Sequence, residues 1–210
     1  AKVLGSKKMN SNTLLLVITV VLFVVMYAAG CVVYASKGFT HAQTFLNILN
    51  NNAGLVCVAC GMTCVMLTGG IDISEGSLIA LDCMLLAWGT GQGISAAVMC
   101  ALVIVLGIVF GLVQGFCVGY LNIQPFIVTM AGMFFARGMT AVVSTNQLSI
   151  TQDTSALFYG WANAKIQLPA FLGYMNSKGK LQIPYIRVSV VIALAVLILI
   201  FLILRYTRFG

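Results

Sequence analysis

Thr13-Leu-Leu-Leu-Val-Ile-Thr-Val-Val-Leu-Phe-Val-Val-Met-Tyr-Ala-Ala-Gly-Cys-Val-Val-Tyr-Ala35 is an uncharged apolar run of 23 residues. At a rise of about 1.5 Å per residue, such a run is long enough as a helix to cross a hydrocarbon layer of about 30 Å. It follows Lys2, Lys7 and Lys8 and exceeds the apolar region of a cleaved secretory signal, so it reads as a first transmembrane helix. Similar stretches recur at 53–68, 76–90, 94–121, 125–144 and 188–204. The reading is an all-α integral membrane protein of about six spans, some of them short or broken, forming part of a larger bundle.

Composition excludes a water-soluble alternative. The chain has 210 residues, 61% hydrophobic and only 7% charged, with a mean hydropathy of +1.07; soluble domains carry roughly a quarter charged residues. Its net charge of +7 lies mostly outside the apolar runs, where basic residues orient membrane proteins, and no basic helix or aromatic-basic module points to nucleic acid. Lys2, Lys7, Lys8, Arg205 and Arg208 fall on the side of the termini, and Lys37, Lys165, Lys178, Lys180 and Arg187 on the other, so the charge count is a tie. The dominance of the first helix places the termini in the cytoplasm and the loop 145–187 outside. Phe158, Tyr159, Trp161, Phe171, Tyr174 and Tyr185 in that loop suit a headgroup-level aromatic belt, with docking of an external protein as the alternative.

Enzyme chemistry finds little support. All seven cysteines lie in apolar spans, where thiols behave as small hydrophobes; Cys57-x-x-Cys60 has no second pair. The single histidine, His41, has no nearby nucleophile and carboxylate to complete a triad. No catalytic residue, metal site or cofactor is expected.

The polar features inside the spans carry more information. Gly107, Gly111, Gly115 and Gly119 recur every four residues and leave one helix face bare, which predicts close packing within one bundle, with a dimer seam as the alternative. The run Thr68-Gly-Gly-Ile-Asp-Ile-Ser-Glu-Gly-Ser77 holds two of the four acidic residues. Asp72 and Glu75 stand at the spacing of a capping box, while Gly69 and Gly70 permit a sharp break of the sort that lines a cavity at membrane depth. Cap and pathway roles are compatible here. Asp82 and Arg137 are charges inside spans; a cost of about 2.5 to 3.5 kcal/mol on insertion scales requires interior partners. An acid or a carbonyl is the expected partner of Arg137, with Asp82 or the Asp72/Glu75 pair as the available carboxylates.

Two stretches then carry a family resemblance. Leu67-Thr-Gly-Gly-Ile-Asp-Ile-Ser-Glu-Gly-Ser-Leu-Ile-Ala-Leu81 resembles the Thr-Gly-Gly-Ile-Asp-Leu-Ser-Val-Gly-Ser signature of ribose/galactose-type sugar ABC transporter permeases. Gly111-Leu-Val-Gln-Gly-Phe-Cys-Val-Gly-Tyr-Leu-Asn-Ile-Gln-Pro-Phe-Ile-Val-Thr-Met-Ala-Gly-Met-Phe-Phe-Ala-Arg-Gly138 resembles the second signature of the same family. Glu75 departs from the pattern, which has an apolar residue there. The resemblance covers essentially the whole chain as the N-terminal portion of a permease, with Arg205–Gly210 where the family begins its cytoplasmic coupling loop.

The resemblance implies a single, incomplete transmembrane permease domain over 1–210 in a bacterial inner membrane. It would translocate a monosaccharide delivered by an extracytoplasmic binding protein, with ATP hydrolysed on separate cytoplasmic ATP-binding cassette subunits. A second permease subunit and membrane lipid complete the expected partners. Asp72, Glu75, Asn122, Gln124 and Arg137 are the candidate path or gate residues. By composition alone, an ion-coupled carrier or channel relaying ions through the buried charges stands as the alternative, and a scaffold without transport as a third. A further expectation is that the chain, ending where the coupling loop begins, does not transport by itself.

The topology has a direct check. Single cysteines at positions 7, 178 and 208, in a cysteine-free background, are exposed to an impermeant thiol reagent in intact cells. Labelling is expected at 178 only; labelling at 208 but not 178 reverses the orientation.

Overall fold

The computed structural model describes residues 11–35, 39, 41–169, 173–175 and 181–207. The charges at Lys2, Lys7, Lys8, Lys37, Lys178, Lys180 and Arg208, and the ring of Phe171, therefore lie outside the described residues. Five helices are long and apolar enough to span a membrane: α1 (Ser11–Val33), α2 (Ala42–Leu67), α4 (Ala96–Gly119), α5 (Pro125–Val143) and α7 (Val188–Tyr206). The sixth predicted span is α3 (Glu75–Gly91), a helix of 17 residues. It rises only about 25 Å.

α2 begins eleven residues before the sequence-based span at Ala53. Its Asn-rich start, which reads as a polar flank, is helical because its amides find partners: Gln43 Nε2 donates to Asn47 Oδ1 at 2.7 Å. The loop between α5 and α7 is also more ordered than an irregular segment. It holds the short helix α6 (Ala156–Ala162), whose N-cap Ser155 accepts from Phe158 N, and the strands β1 (Lys165–Gln167), β2 (Tyr174–Met175), β3 (Leu181–Gln182) and β4 (Tyr185–Arg187). β1 pairs antiparallel with β4 and β2 with β3.

The chain divides into two compact units, one of residues 1–48 and 168–184, the other of 49–167 and 185–210. In the first, Tyr27 of α1 packs on Phe39 and Phe45 at ring distances of 5.6 and 5.8 Å. The second holds α3, α4, α5 and α7 with most of α2. Its α3 packs on both α4 and α5. Contacts of Gly89 with Met99 and of Ser74 with Gln114 run α4 antiparallel to α3, whereas Gly70 with Pro125 and Ser77 with Arg137 run α5 parallel to it. The α3–α4 turn closes on Gly93 at φ +82°, with Ile94 N donating to Gly89 O and Gly93 N to Thr90 O, the paired bonds of a glycine helix stop.

Elsewhere in this unit Ala53 of α2 packs with Val190 and Ala193 of α7, and Ile186 lies against them. Asn50, one turn before Ala53, closes the free edge of β4: its Nδ2 donates to Tyr185 O at 3.3 Å and its Oδ1 accepts from Arg187 N at 2.8 Å. A single side-chain amide thus takes the place of a neighbouring strand and sets where α7 starts. Removing it strands two backbone groups, each at about 1–3 kcal/mol when buried. Asn50→Ala is expected to destabilise by about 2 kcal/mol or more, read as a lower thermal midpoint in detergent, while the neighbouring exposed Asn51→Ala leaves the midpoint unchanged.

Candidate functional site

The break between α2 and α3 is held by backbone and side-chain hydrogen bonds. Gly69 adopts φ +77°, Gly69 N donates to Met66 O at 3.0 Å, and Gly70 N returns to Val65 O at 3.3 Å, which terminates α2 with the Val65 and Met66 carbonyls bonded. Thr68 Oγ1 adds a bond to Val65 O at 2.7 Å. Gly70 is buried, and its Cα faces the ring of Pro125, the first residue of α5.

Residues 71–74 form neither helix nor strand, and side chains of α4 and α5 hold them at two points and the first turn of α3 at a third. Thr129 Oγ1 of α5 donates to Ile71 O at 3.2 Å. Gln114 Nε2 of α4 donates to Ser74 Oγ at 3.0 Å, and Ser74 Oγ in turn donates to Asp72 Oδ1 at 2.6 Å. Arg137 Nε of α5 donates to Ser77 Oγ at 3.2 Å. Ser74, Ser77 and Thr129 are buried. Gln114 reaches Ser74 across the α4–α5 contact only because residue 132 is glycine: a Cβ there would collide with the Gln114 amide and the Phe110 ring.

Asp72 and Glu75 do not form the predicted capping box. Asp72 Oδ1 instead accepts from Ser74 N at 2.7 Å, a local Asx turn, so the helix starts two residues later. The N-cap is Ser74 and Glu75 is the first helical residue, its carboxylate lying beside Gly61 of α2. Arg137 is largely exposed and has a hydroxyl partner in place of the expected acid or carbonyl; among the described residues it forms no ion pair. Asp82, seven residues after Glu75 and so on the same helix face, has one carboxylate oxygen shielded from solvent without a hydrogen bond. Asn122 and Gln124 lie on the α4–α5 turn, exposed, with Asn122 at φ +52° and Gln124 as the N-cap of α5. They sit at the Gly70–Pro125 end, whereas Arg137 is about 18 Å further along α5. The structure therefore gathers Asp72 and Glu75 at the break, connects Arg137 to it through Ser77, and leaves Asn122 and Gln124 at its mouth.

The residues that sequence reading missed are Ser74, Ser77, Gln114 and Thr129. Gln114 carried a signal, being the one amide in the apolar helix α4. The glycine ladder lies on an open face of α4 in this chain. A Cβ at Gly107, Gly111, Gly115 or Gly119 would meet nothing within 4 Å, because α4 turns Phe110 and Gln114 toward its neighbours and leaves the glycine face open. A groove of about 940 Å³ between α4 and α5 is lined by Val109, Phe110, Val113, Ile127 and Phe135 among others. So apolar a surface suits lipid tails or another helix and not a polyhydroxyl ligand.

A short break between membrane helices, with its polar groups turned inward, is a feature that membrane transport proteins share. Residues 44–210 match the family described as branched-chain amino acid transport system / permease component. The chain is 36% identical over 143 residues to the inner membrane ABC transporter permease protein YjfF of Escherichia coli, covering 68% of this chain and 43% of that protein. It is 30% identical over 198 residues to the fructose import permease protein FruG of Bifidobacterium longum, covering 94% and 54%, and 34% identical over 127 residues to the ribose import permease protein RbsC of Escherichia coli, covering 60% and 40%. No solved structure matches. The chain belongs to this family of ABC transporter permeases, in the branch whose curated members are sugar permeases, and is a multi-pass protein of the bacterial inner membrane. It spans about half the length of the curated relatives it matches. The family is one of transport permeases and not of catalysts.

Gly132 offers a test of the site's construction. Gly132→Val is expected to displace Gln114 and cost about 1–3 kcal/mol through overpacking. Gly138→Val, on the same helix with open space at its Cβ, is expected to leave the thermal midpoint unchanged.

Proposed function

We propose that the chain is the membrane-spanning part of an ATP-binding cassette importer that passes a monosaccharide delivered by an extracytoplasmic binding protein. The observation that carries the reading is the break at 68–74, where hydroxyl, amide and carboxylate groups are held in place by two neighbouring helices. Such groups exchange hydrogen bonds with sugar hydroxyls in place of water, whereas a branched aliphatic side chain would find no apolar pocket among them. The relatives named for fructose and ribose favour the same substrate class.

In this reading residues 1–210 belong to one permease domain, with 145–187 external. Asp72 and Glu75 face the path, Arg137 and Ser77 brace the start of α3, and Asn122 and Gln124 flank its mouth. Alternating access then rocks the α3–α5 group as one piece between outward and inward states, since two bonds tie the break, and a third the start of α3, to α4 and α5. The chain is not an enzyme: ATP is hydrolysed on separate cytoplasmic subunits, and a second permease subunit completes the pathway.

The test is uptake of labelled ribose, fructose and leucine by the source cells, with substitutions introduced at the chromosomal gene. Sugar uptake is expected to depend on ATP, to survive collapse of the proton gradient, and to fall about tenfold in Gln114→Ala and Arg137→Gln, as for loss of a part-buried hydrogen bond of about 1.5 kcal/mol. Uptake that dies with the gradient sinks the importer reading in favour of an ion-coupled carrier, and selective loss of leucine uptake replaces sugar with amino acid.

A further inference from the structure

The β1–β4 ladder places like charges opposite each other. Lys165 pairs with Arg187, Ile166 with Ile186 and Gln167 with Tyr185. Asn50 takes the hydrogen bonds of Tyr185 and Arg187 at the outer edge of β4, so Lys165 and Arg187 form a non-hydrogen-bonded pair, the kind in which facing side chains lie closest. Ile186 turns to the Ala53–Val190 core, leaving Lys165, Tyr185 and Arg187 on the opposite face. Two cations directly across a ladder repel. Among the described residues no carboxylate meets either cation: Lys165 Nζ has only the Tyr185 ring, 4.5 Å away, and Arg187 Nε is buried without a hydrogen-bond partner.

The position of the pair narrows the ligand. Arg187 immediately precedes the 19-residue apolar helix α7, so it stands at the boundary of the hydrocarbon layer, at the positive end of that helix's dipole. Trp161 and Tyr159 of the adjoining α6 are exposed, as rings are at headgroup level. An anion at that depth is a phospholipid phosphodiester, and a guanidinium is the side chain best matched to phosphate oxygens. We infer that Lys165 and Arg187 form a binding site for the phosphodiester of an anionic phospholipid, which relieves their mutual repulsion and fixes the loop against the membrane at the start of α7.

The experiment uses the purified chain in nanodiscs of phosphatidylcholine with and without phosphatidylglycerol, comparing wild type, Lys165→Gln, Arg187→Gln and Arg187→Lys. Thermal midpoint and retained lipid by native mass spectrometry are the readouts. Wild type is expected to retain phosphatidylglycerol and gain in midpoint. Each Gln variant should bind it about fivefold more weakly, as for about 1 kcal/mol per cation, with Arg187→Lys intermediate and inorganic phosphate without effect. Lys165 is exposed and its replacement is expected to leave the fold intact, so that variant decides the matter even where Arg187→Gln misfolds. Equal retention by wild type and Lys165→Gln overturns the inference. So does stabilisation by inorganic phosphate alone, which makes the site one for a free ion, and so does indifference to phosphatidylglycerol alongside binding of an acidic external protein that Lys165→Gln abolishes.

Discussion

Backbone polar groups have no water to turn to inside a bilayer, and the arrangement of α2 through α5 follows from meeting that demand at one irregular place. Between Leu67 and Glu75 the chain leaves the helix, and each exposed amide or carbonyl must be answered. Gly69 folds the end of α2 back on itself, Asp72 answers the amide of Ser74, and Thr129 answers the carbonyl of Ile71. Those answers come from α5 as well as from the segment itself, so α5 is obliged to run beside α3 with its first turn against Gly70. Gln114 and Gly132 are the matched consequence on the α4–α5 side: one reaches across, the other makes room.

Much of this architecture was legible before any coordinate. The long apolar runs marked α1, α4, α5 and α7 to within two or three residues, because nothing but a bilayer solvates such stretches. The start of α2 was misread, since Asn is a poor helix former in isolation; its helicity depends on partners contributed by Gln43 and by β4, and a distant partner leaves no local trace. The strands β1 to β4 were hidden for the same reason. Each is three residues or fewer and is defined by pairing across the loop and not by an alternating pattern.

At the site, residue type was readable and relationship was not. Asp72 and Glu75 have the spacing of reciprocal caps, yet an aspartate two residues before a serine amide is captured by that amide first. Arg137 demanded a partner, and the demand was met by a serine, a residue too common to be singled out. The Gly107–Gly119 ladder announced a face that admits close approach, and that face is open in this chain; periodicity in one helix specifies a surface without naming what rests on it.

The amide of Asn50 has a direction that a carboxylate of the same shape lacks. Its nitrogen must face the carbonyl of Tyr185 and its oxygen the N–H of Arg187, because the two backbone partners are not interchangeable. Slow hydrolysis of that side chain, the ordinary ageing of asparagine, would exchange a single nitrogen for oxygen and set two acceptors against each other at Tyr185. The joint where the loop meets α7 therefore carries its own chemical clock, and its lifetime depends on the burial that keeps water from one amide.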